Sequence, residues 1–125
     1  MKRILAILPV FLLLTIGISA QQSQSAETQT PQERAHASAL RMKKLLSLND
    51  QQTVQTEAVI LSRIEAVDKV KADATLTPEA KETAIQKIRD EKDAELQKIF
   101  TAEQFTRYKE LKDERVQRSK TTGGK

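Results

Sequence analysis

The chain has 125 residues, with 21 basic side chains against 17 acidic ones, a formal net charge of +4, no Cys, no Trp and only three Gly. Sheet-based enzyme folds need turn glycines, β-branched runs and usually aromatic residues, and a chain without Cys cannot be held by disulfides. The composition therefore excludes a β-sandwich, an α/β enzyme and a disulfide scaffold, and it favours a highly charged, all-α protein.

The first 20 residues have the pattern of a secretory signal peptide. Lys2 and Arg3 precede an apolar run at residues 4–18, and the small residues Ser19 and Ala20 follow it. The run is shorter than the roughly 20 residues that a bilayer span needs. We expect cleavage after Ala20 and export of the mature chain, with an uncleaved N-terminal anchor as the alternative. Removal of two basic residues leaves 19 basic and 17 acidic side chains, a net charge of +2.

Polar segments flank the predicted folded part. Residues 21–32 (QQSQSAETQTPQ) contain no apolar side chain larger than Ala, so they cannot bury enough surface to offset their chain entropy. Residues 119–125 (SKTTGGK) have the same character. We therefore predict a disordered leader at 21–32, one all-helical domain at 33–118 and a flexible tail at 119–125.

Four helices are predicted from their start signals. Asn and Thr side chains at an N-cap accept hydrogen bonds from unpaired first-turn amides, and Pro suits the first helical position. Thr101 and Gln104 also have the spacing of a capping box. The predicted helices span residues 31–46, 50–73, 78–99 and 102–118, and the last three have Asn49, Thr77 and Thr101 as N-caps.

The second and third predicted helices are joined by only a few residues, which favours a long antiparallel αα-hairpin. Apolar residues recur at intervals of three or four along both helices, but Lys92 and Glu95 interrupt the apolar stripe of the third. Such a thin stripe leaves apolar surface partly hydrated, and a second copy would cover it. We therefore predict a two-fold symmetric homodimer.

Motifs for catalysis or for metal and cofactor binding are nearly absent. A Ser-His nucleophile needs a base beside the hydroxyl, and the one histidine, His36, lies in the polar first helix. The acidic residues between 90 and 95 alternate with Lys and Arg, which is typical of solvated helix surface rather than of a carboxylate metal site. We predict that the protein is not an enzyme and has no cofactor and no metal site.

The first predicted helix is basic and amphipathic. Such a helix can bind other polypeptides, lie on anionic lipid, or cap the hairpin with cations that extend along apolar surface. Peripheral membrane contact is the less favoured of the two binding modes, and export together with the low mature charge argues against nucleic acid. The candidate polypeptide-binding residues are Arg41, Met42, Lys43, Lys44 and Leu45 on this helix and Arg63 on the second.

Two of the helix starts have similar sequences, LNDQQ at residues 48–52 and FTAEQ at 100–104. They resemble the LTxxQ motif pair of the Spy/CpxP family of periplasmic proteins, and the resemblance covers residues 33–118. Asn for Thr at position 49 and Phe for Leu at position 100 preserve a helix cap and an apolar residue. The segment at 76–80 is similar but has Ala in place of Gln. The matching motif residues, expected to be structural, are Leu48, Asn49, Gln52, Phe100, Thr101 and Gln104.

The Spy/CpxP resemblance implies a cradle-shaped antiparallel dimer of bent helical hairpins that binds unfolded or partly folded clients without ATP, or damps an envelope-stress sensor. The leading hypothesis is an exported, periplasmic chaperone-like or stress protein. One alternative is a regulatory or metal-responsive adaptor for one specific envelope partner, although the chain lacks the cluster of His, Cys or Met ligands that a metal sensor uses. A structural coiled-coil module is the other alternative.

Overall fold

The computed structural model describes residues 29–123, which form four α-helices and no strand. The helices are α1 (Pro31–Leu46), α2 (Asp50–Ala72), α3 (Pro78–Ile99) and α4 (Ala102–Thr122). The predicted all-α class is confirmed. None of these four helices combines the length and the apolar character that a bilayer crossing requires. The predicted signal peptide and most of the predicted leader lie outside the described residues, as do residues 124 and 125.

Each helix begins at a polar N-cap residue in extended conformation, whose side-chain oxygen accepts a hydrogen bond from the amide three residues later. These N-caps are Thr30, Asn49, Thr77 and Thr101. The predicted starts are thereby confirmed. α1, α2 and α4 also have the reciprocal half of a capping box, in which a Glu or Gln side chain accepts from the N-cap amide. α3 has Ala80 at that position, so its box is incomplete.

The helix ends follow the prediction at α1 and α3 and differ elsewhere. α2 ends at Ala72, one residue before the predicted end, and α4 continues to Thr122, four residues past residue 118 and into the segment predicted as a tail. The polar composition of that segment suggested a coil, but a helical conformation lets its hydroxyl side chains bond within the helix instead of to water. Ser119, Thr121 and Thr122 each donate to a carbonyl of the preceding turn.

The turn after α1 depends on a left-handed residue. Ser47 has φ 54° and ψ 47°, a conformation that costs a non-glycine residue about 1–2 kcal/mol. The amides of Ser47 and Leu48 both donate to the carbonyl of Lys43, in the manner of a Schellman motif. The chain therefore reverses sharply enough to bury Leu48 immediately before α2 begins.

α2 is the centre of an open layer. It packs along both α1 and α3, whereas α1 and α3 form no direct backbone packing with each other within the described residues. α4 contacts α1 and α3 only through its first half, up to Lys112, and every residue from Lys112 to Gly123 is exposed. The fold is thus a three-helix layer with α4 attached at one end, and it has less core than a closed four-helix bundle.

The core consists of two apolar clusters. The junction cluster lies where the end of α1, the start of α2, the end of α3 and the start of α4 meet, and its buried residues are Leu46, Leu48, Leu96, Phe100 and Tyr108. The α1/α2 cluster lies between these two helices and contains Ala35, Ile60 and Ile64. Met42 packs against both clusters and so connects them.

Candidate functional site

The two LTxxQ-like segments meet in the junction through their glutamines. The Nε2 atom of Gln52 donates to Oε1 of Gln104 at 2.7 Å, and Nε2 of Gln104 approaches Oε1 of Gln52 at 3.3 Å. The two side chains thus form a reciprocal amide pair between segments that are 52 residues apart in sequence. The sequence alone predicted both helix starts but gave no direct indication that they touch.

Each glutamine also forms hydrogen bonds at both chain reversals, the turn between α1 and α2 and the turn between α3 and α4. Oε1 of Gln52 accepts from the Asn49 amide at 3.0 Å, and Oε1 of Gln104 accepts from the Thr101 amide at 2.9 Å. The Nε2 atom of each glutamine donates to a carbonyl at the opposite reversal, Gln52 to Ile99 at 3.1 Å and Gln104 to Ser47 at 3.4 Å. Since a carboxamide offers two donors and one oxygen with two lone pairs, each half-buried side chain uses its full hydrogen-bonding capacity here.

The apolar residues of the two segments enter the same cluster. Leu48 is 4% exposed and Phe100 is 6% exposed. Phe100 meets the Tyr108 ring edge to face with centroids 5.9 Å apart, and Phe105 stacks on that ring at the same separation. All six predicted motif residues therefore lie together, as N-caps, glutamines or buried apolar side chains, around this junction.

Asp93 corrects the expectation that the acidic residues between 90 and 95 are all solvated. Its side chain is only 20% exposed. One of its oxygens accepts from the Tyr108 hydroxyl at 2.7 Å and lies 3.1 Å from the Lys92 ammonium, and the other accepts from Lys112. Asp93 precedes the buried Leu96 by three residues, so helical spacing already placed it on the buried face. The carboxylate joins α3 to α4.

The pKa values in this cluster follow from its partial burial. Burial raises the pKa of Asp93, but the hydrogen bonds from Lys112 and Tyr108 and the charge of Lys92 outweigh it, and the pKa is lowered. Desolvation lowers the pKa of Lys92, which also lies 5.5 Å from the centroid of the Tyr108 ring. Burial and the bond to Asp93 raise the pKa of Tyr108. The phenol therefore stays protonated and donates to a charged carboxylate at neutral pH.

The predicted binding residues of α1 divide between two environments. Arg41, Lys44 and Leu45 are exposed, and Leu45 retains 48% of its accessible surface. Met42 is half-buried in the core, and Lys43 is half-buried with its ammonium 2.5 Å from Asp50. The exposed set, with Leu40 at 43% exposure, is the α1 surface: Leu40, Arg41, Lys44 and Leu45.

Arg63 does not join the α1 surface. It lies in the α2/α3 groove, a depression of about 500 Å³ between α2 and α3 that also contains Lys92. The Nε atom of Arg63 is buried and has no hydrogen-bond partner among the described residues. The structure thus separates two surfaces that the sequence had placed in one candidate set.

The remaining candidates for metal binding form no cluster. Within residues 29–123, no three His, Cys, Asp or Glu side chains converge as a metal site would require. The Nδ1 atom of His36 lies 2.9 Å from a carboxylate oxygen of Glu57, and both residues are partly or fully accessible to solvent. This contact pairs α1 with α2 along their outer edge.

Comparison with known proteins gives one match. The family model described as "Domain of unknown function (DUF4890)" matches residues 20–108. The chain belongs to the DUF4890 family. The DUF4890 match includes both glutamine-bearing segments, Asp93 and Tyr108, and therefore the whole junction cluster. No curated protein and no solved structure matches the chain.

The lowered pKa of Asp93 predicts a pH-dependent stability. A carboxylate with a lowered folded-state pKa stabilises the fold fully above its ordinary pKa of about 4, and that contribution is lost as the pH falls through the lowered value. Asp93→Asn should therefore reduce the free energy of unfolding at neutral pH by about 1 kcal/mol, and the difference from wild type should shrink below about pH 4. Urea unfolding across this pH range measures both effects.

Asp113→Asn is the matched control, because Asp113 is an exposed carboxylate on α4. It should change stability by less than about 0.5 kcal/mol at neutral pH. A deficit of the Asp93 variant that stays constant from neutral to acid pH would show that the ionised carboxylate does not hold α4 to α3.

Proposed function

We propose that this DUF4890 protein is an exported, ATP-independent, chaperone-like protein of the periplasm that binds unfolded or partly folded polypeptides. The observation that carries the proposal is the α1 surface, where Leu40 and Leu45 are 43% and 48% exposed beside Arg41 and Lys44. Exposed leucines flanked by cations offer apolar contact and electrostatic attraction to a chain that has no fixed shape.

The open layer supports the same proposal. Because α1 and α3 lie on either side of α2 and their backbones do not approach each other, their outer surfaces are available to a partner. Charged side chains of both signs border the half-buried apolar residues of this layer, as in the α2/α3 groove. Such a surface imposes little shape selection, which suits many weakly bound clients better than a single partner.

Export and periplasmic location are part of the proposal. Export is supported by the signal-peptide pattern at residues 1–20, and the periplasm by the resemblance of the two LTxxQ-like segments to those of Spy/CpxP proteins. The same resemblance suggests a cradle formed by two copies. The small core of the layer also favours a dimer, since a second copy would bury apolar surface that one chain leaves hydrated.

The proposed dimer predicts the mass of the mature chain in solution. Multi-angle light scattering on residues 21–125 at micromolar concentration should give twice the mass of one chain. The mass should fall towards that of a single chain on dilution if the association is reversible. A single-chain mass over the whole concentration range would contradict the dimer and leave the monomeric α1 surface as the proposed binding element.

The chaperone proposal predicts suppression of aggregation by the wild-type mature chain. An aggregating, chemically unfolded model protein should scatter less light as the chain is added without ATP. Leu40→Gln combined with Leu45→Gln should abolish most of this effect, because the variant removes apolar contact but retains helix propensity. Circular dichroism should show unchanged helix content.

The matched control combines Val54→Gln with Val116→Gln, two exposed apolar residues that are 69% and 44% accessible and lie outside the α1 surface. This variant should suppress aggregation as wild type does. Equal suppression by both variants would exclude the α1 surface. No suppression by wild type at several-fold excess would contradict the chaperone proposal and favour the adaptor alternative.

A further inference from the structure

The α2/α3 groove combines an apolar floor with charged walls. Val59, Ala66 and Ile88 are half-buried and line its base. Arg63 extends from α2 and Lys92 from α3 into the same space of about 500 Å³. This arrangement lies apart from the α1 surface, and the junction hydrogen bonds do not use its Arg63 side chain.

Two cations, Arg63 and Lys92, and two carboxylates, Glu91 and Glu95, line the groove. Glu95 pairs with Lys98 at 2.8 Å and Glu91 approaches Lys87 at 3.9 Å, so both acids have cation partners that do not line the groove. Arg63 forms no ion pair within the described residues, and its buried Nε atom donates to no acceptor there. Because that Nε atom is enclosed by protein, a ligand acceptor would reach the guanidinium at its terminal nitrogens, which form no ion pair within the described residues either.

Asp93, the carboxylate next to Lys92, does not pair with Arg63 either. Lys92 approaches this carboxylate, which already accepts from Tyr108 and Lys112. Lys92 thus has a carboxylate partner and Arg63 has none among the described residues, so an incoming anionic group would meet the Arg63 guanidinium without competition from a bound carboxylate. A guanidinium can bind a carboxylate through two parallel hydrogen bonds.

We propose that the α2/α3 groove binds a segment of an unfolded polypeptide in which an acidic side chain is flanked by aliphatic ones. The acidic group binds Arg63, and the aliphatic neighbours cover Val59 and Ile88. The apolar floor distinguishes this ligand from a free inorganic anion, which would gain nothing from contact with it. The inference rests on the proposed chaperone function and specifies which client segments the protein prefers.

Two short, flexible peptides test the preference directly. One has the central sequence Leu-Glu-Leu and the other has Leu-Gln-Leu, in the same Gly and Ser flanks, with a fluorescent label for anisotropy. The wild-type mature chain should bind the Glu peptide about three- to tenfold more tightly, as expected for one partly buried charge-assisted contact. Arg63→Gln should remove the difference and leave the affinity for the Gln peptide unchanged.

Arg89→Gln is the matched control, since Arg89 lies on α3 outside the groove and pairs with Glu82 at 3.5 Å. It should keep the preference for Glu. Glu95→Gln tests for a change of affinity in the opposite direction and leaves Arg63 unchanged. Removal of this neighbouring carboxylate should tighten binding of the Glu peptide by about twofold. Circular dichroism and thermal unfolding should confirm that each variant folds.

Equal affinity of wild type for the two peptides, or a preference that survives Arg63→Gln, would overturn the inference. The aggregation assay separates this failure from failure of the proposed function. Suppression of aggregation without a Glu preference would remove the groove and leave the chaperone proposal in place. An Arg63-dependent preference without suppression would support the groove as a peptide site and overturn the chaperone role.

Discussion

The fold depends on the amide pair between Gln52 and Gln104. Three helices in an open layer bury little apolar surface, and α4 contacts the rest of the chain only through its first half. The two glutamines join both chain reversals by bonding to each other, to the N-cap amides of α2 and α4, and to the carbonyls of Ile99 and Ser47. The bonds between the two glutamines and the bond from Gln52 to Ile99 are partly buried, so loss of one side chain leaves these groups without their partners where water has limited access.

This junction also sets the positions of the proposed binding surfaces. It fixes the end of α1 against α2, so the α1 surface is presented on a rigid helix, with Met42 anchored in both apolar clusters. It fixes the end of α3 against α4, so Tyr108 reaches Asp93 and Lys92 stays beside the α2/α3 groove. The proposed client contacts therefore lie on preorganised elements, although the clients themselves have no fixed structure.

Local chemistry made much of the fold predictable from sequence. Asn49, Thr77 and Thr101 are N-caps whose role follows from their own side chains and the next three residues, and α3 matches its predicted bounds for this reason. Contacts between helices that are distant in sequence were harder to predict. The burial of Asp93 depends on Tyr108 and Lys112 from another helix, and the inward position of Met42 depends on the packing of α1 on α2. The separation of Arg63 from the α1 surface likewise required the arrangement of α2 between its neighbours.

A double-mutant cycle measures the central interaction most directly. Gln52→Ala, Gln104→Ala and the double variant are compared with wild type by urea unfolding. The contact between the two side chains predicts a coupling energy of about 1 kcal/mol or more, beyond the cost of each lost cap. The pair Glu33→Ala and Gln104→Ala is the control, because Glu33 caps the distant start of α1 and its effect should add to within about 0.5 kcal/mol. Additive effects of the two glutamine substitutions would contradict the account, since each would then act only within its own helix start.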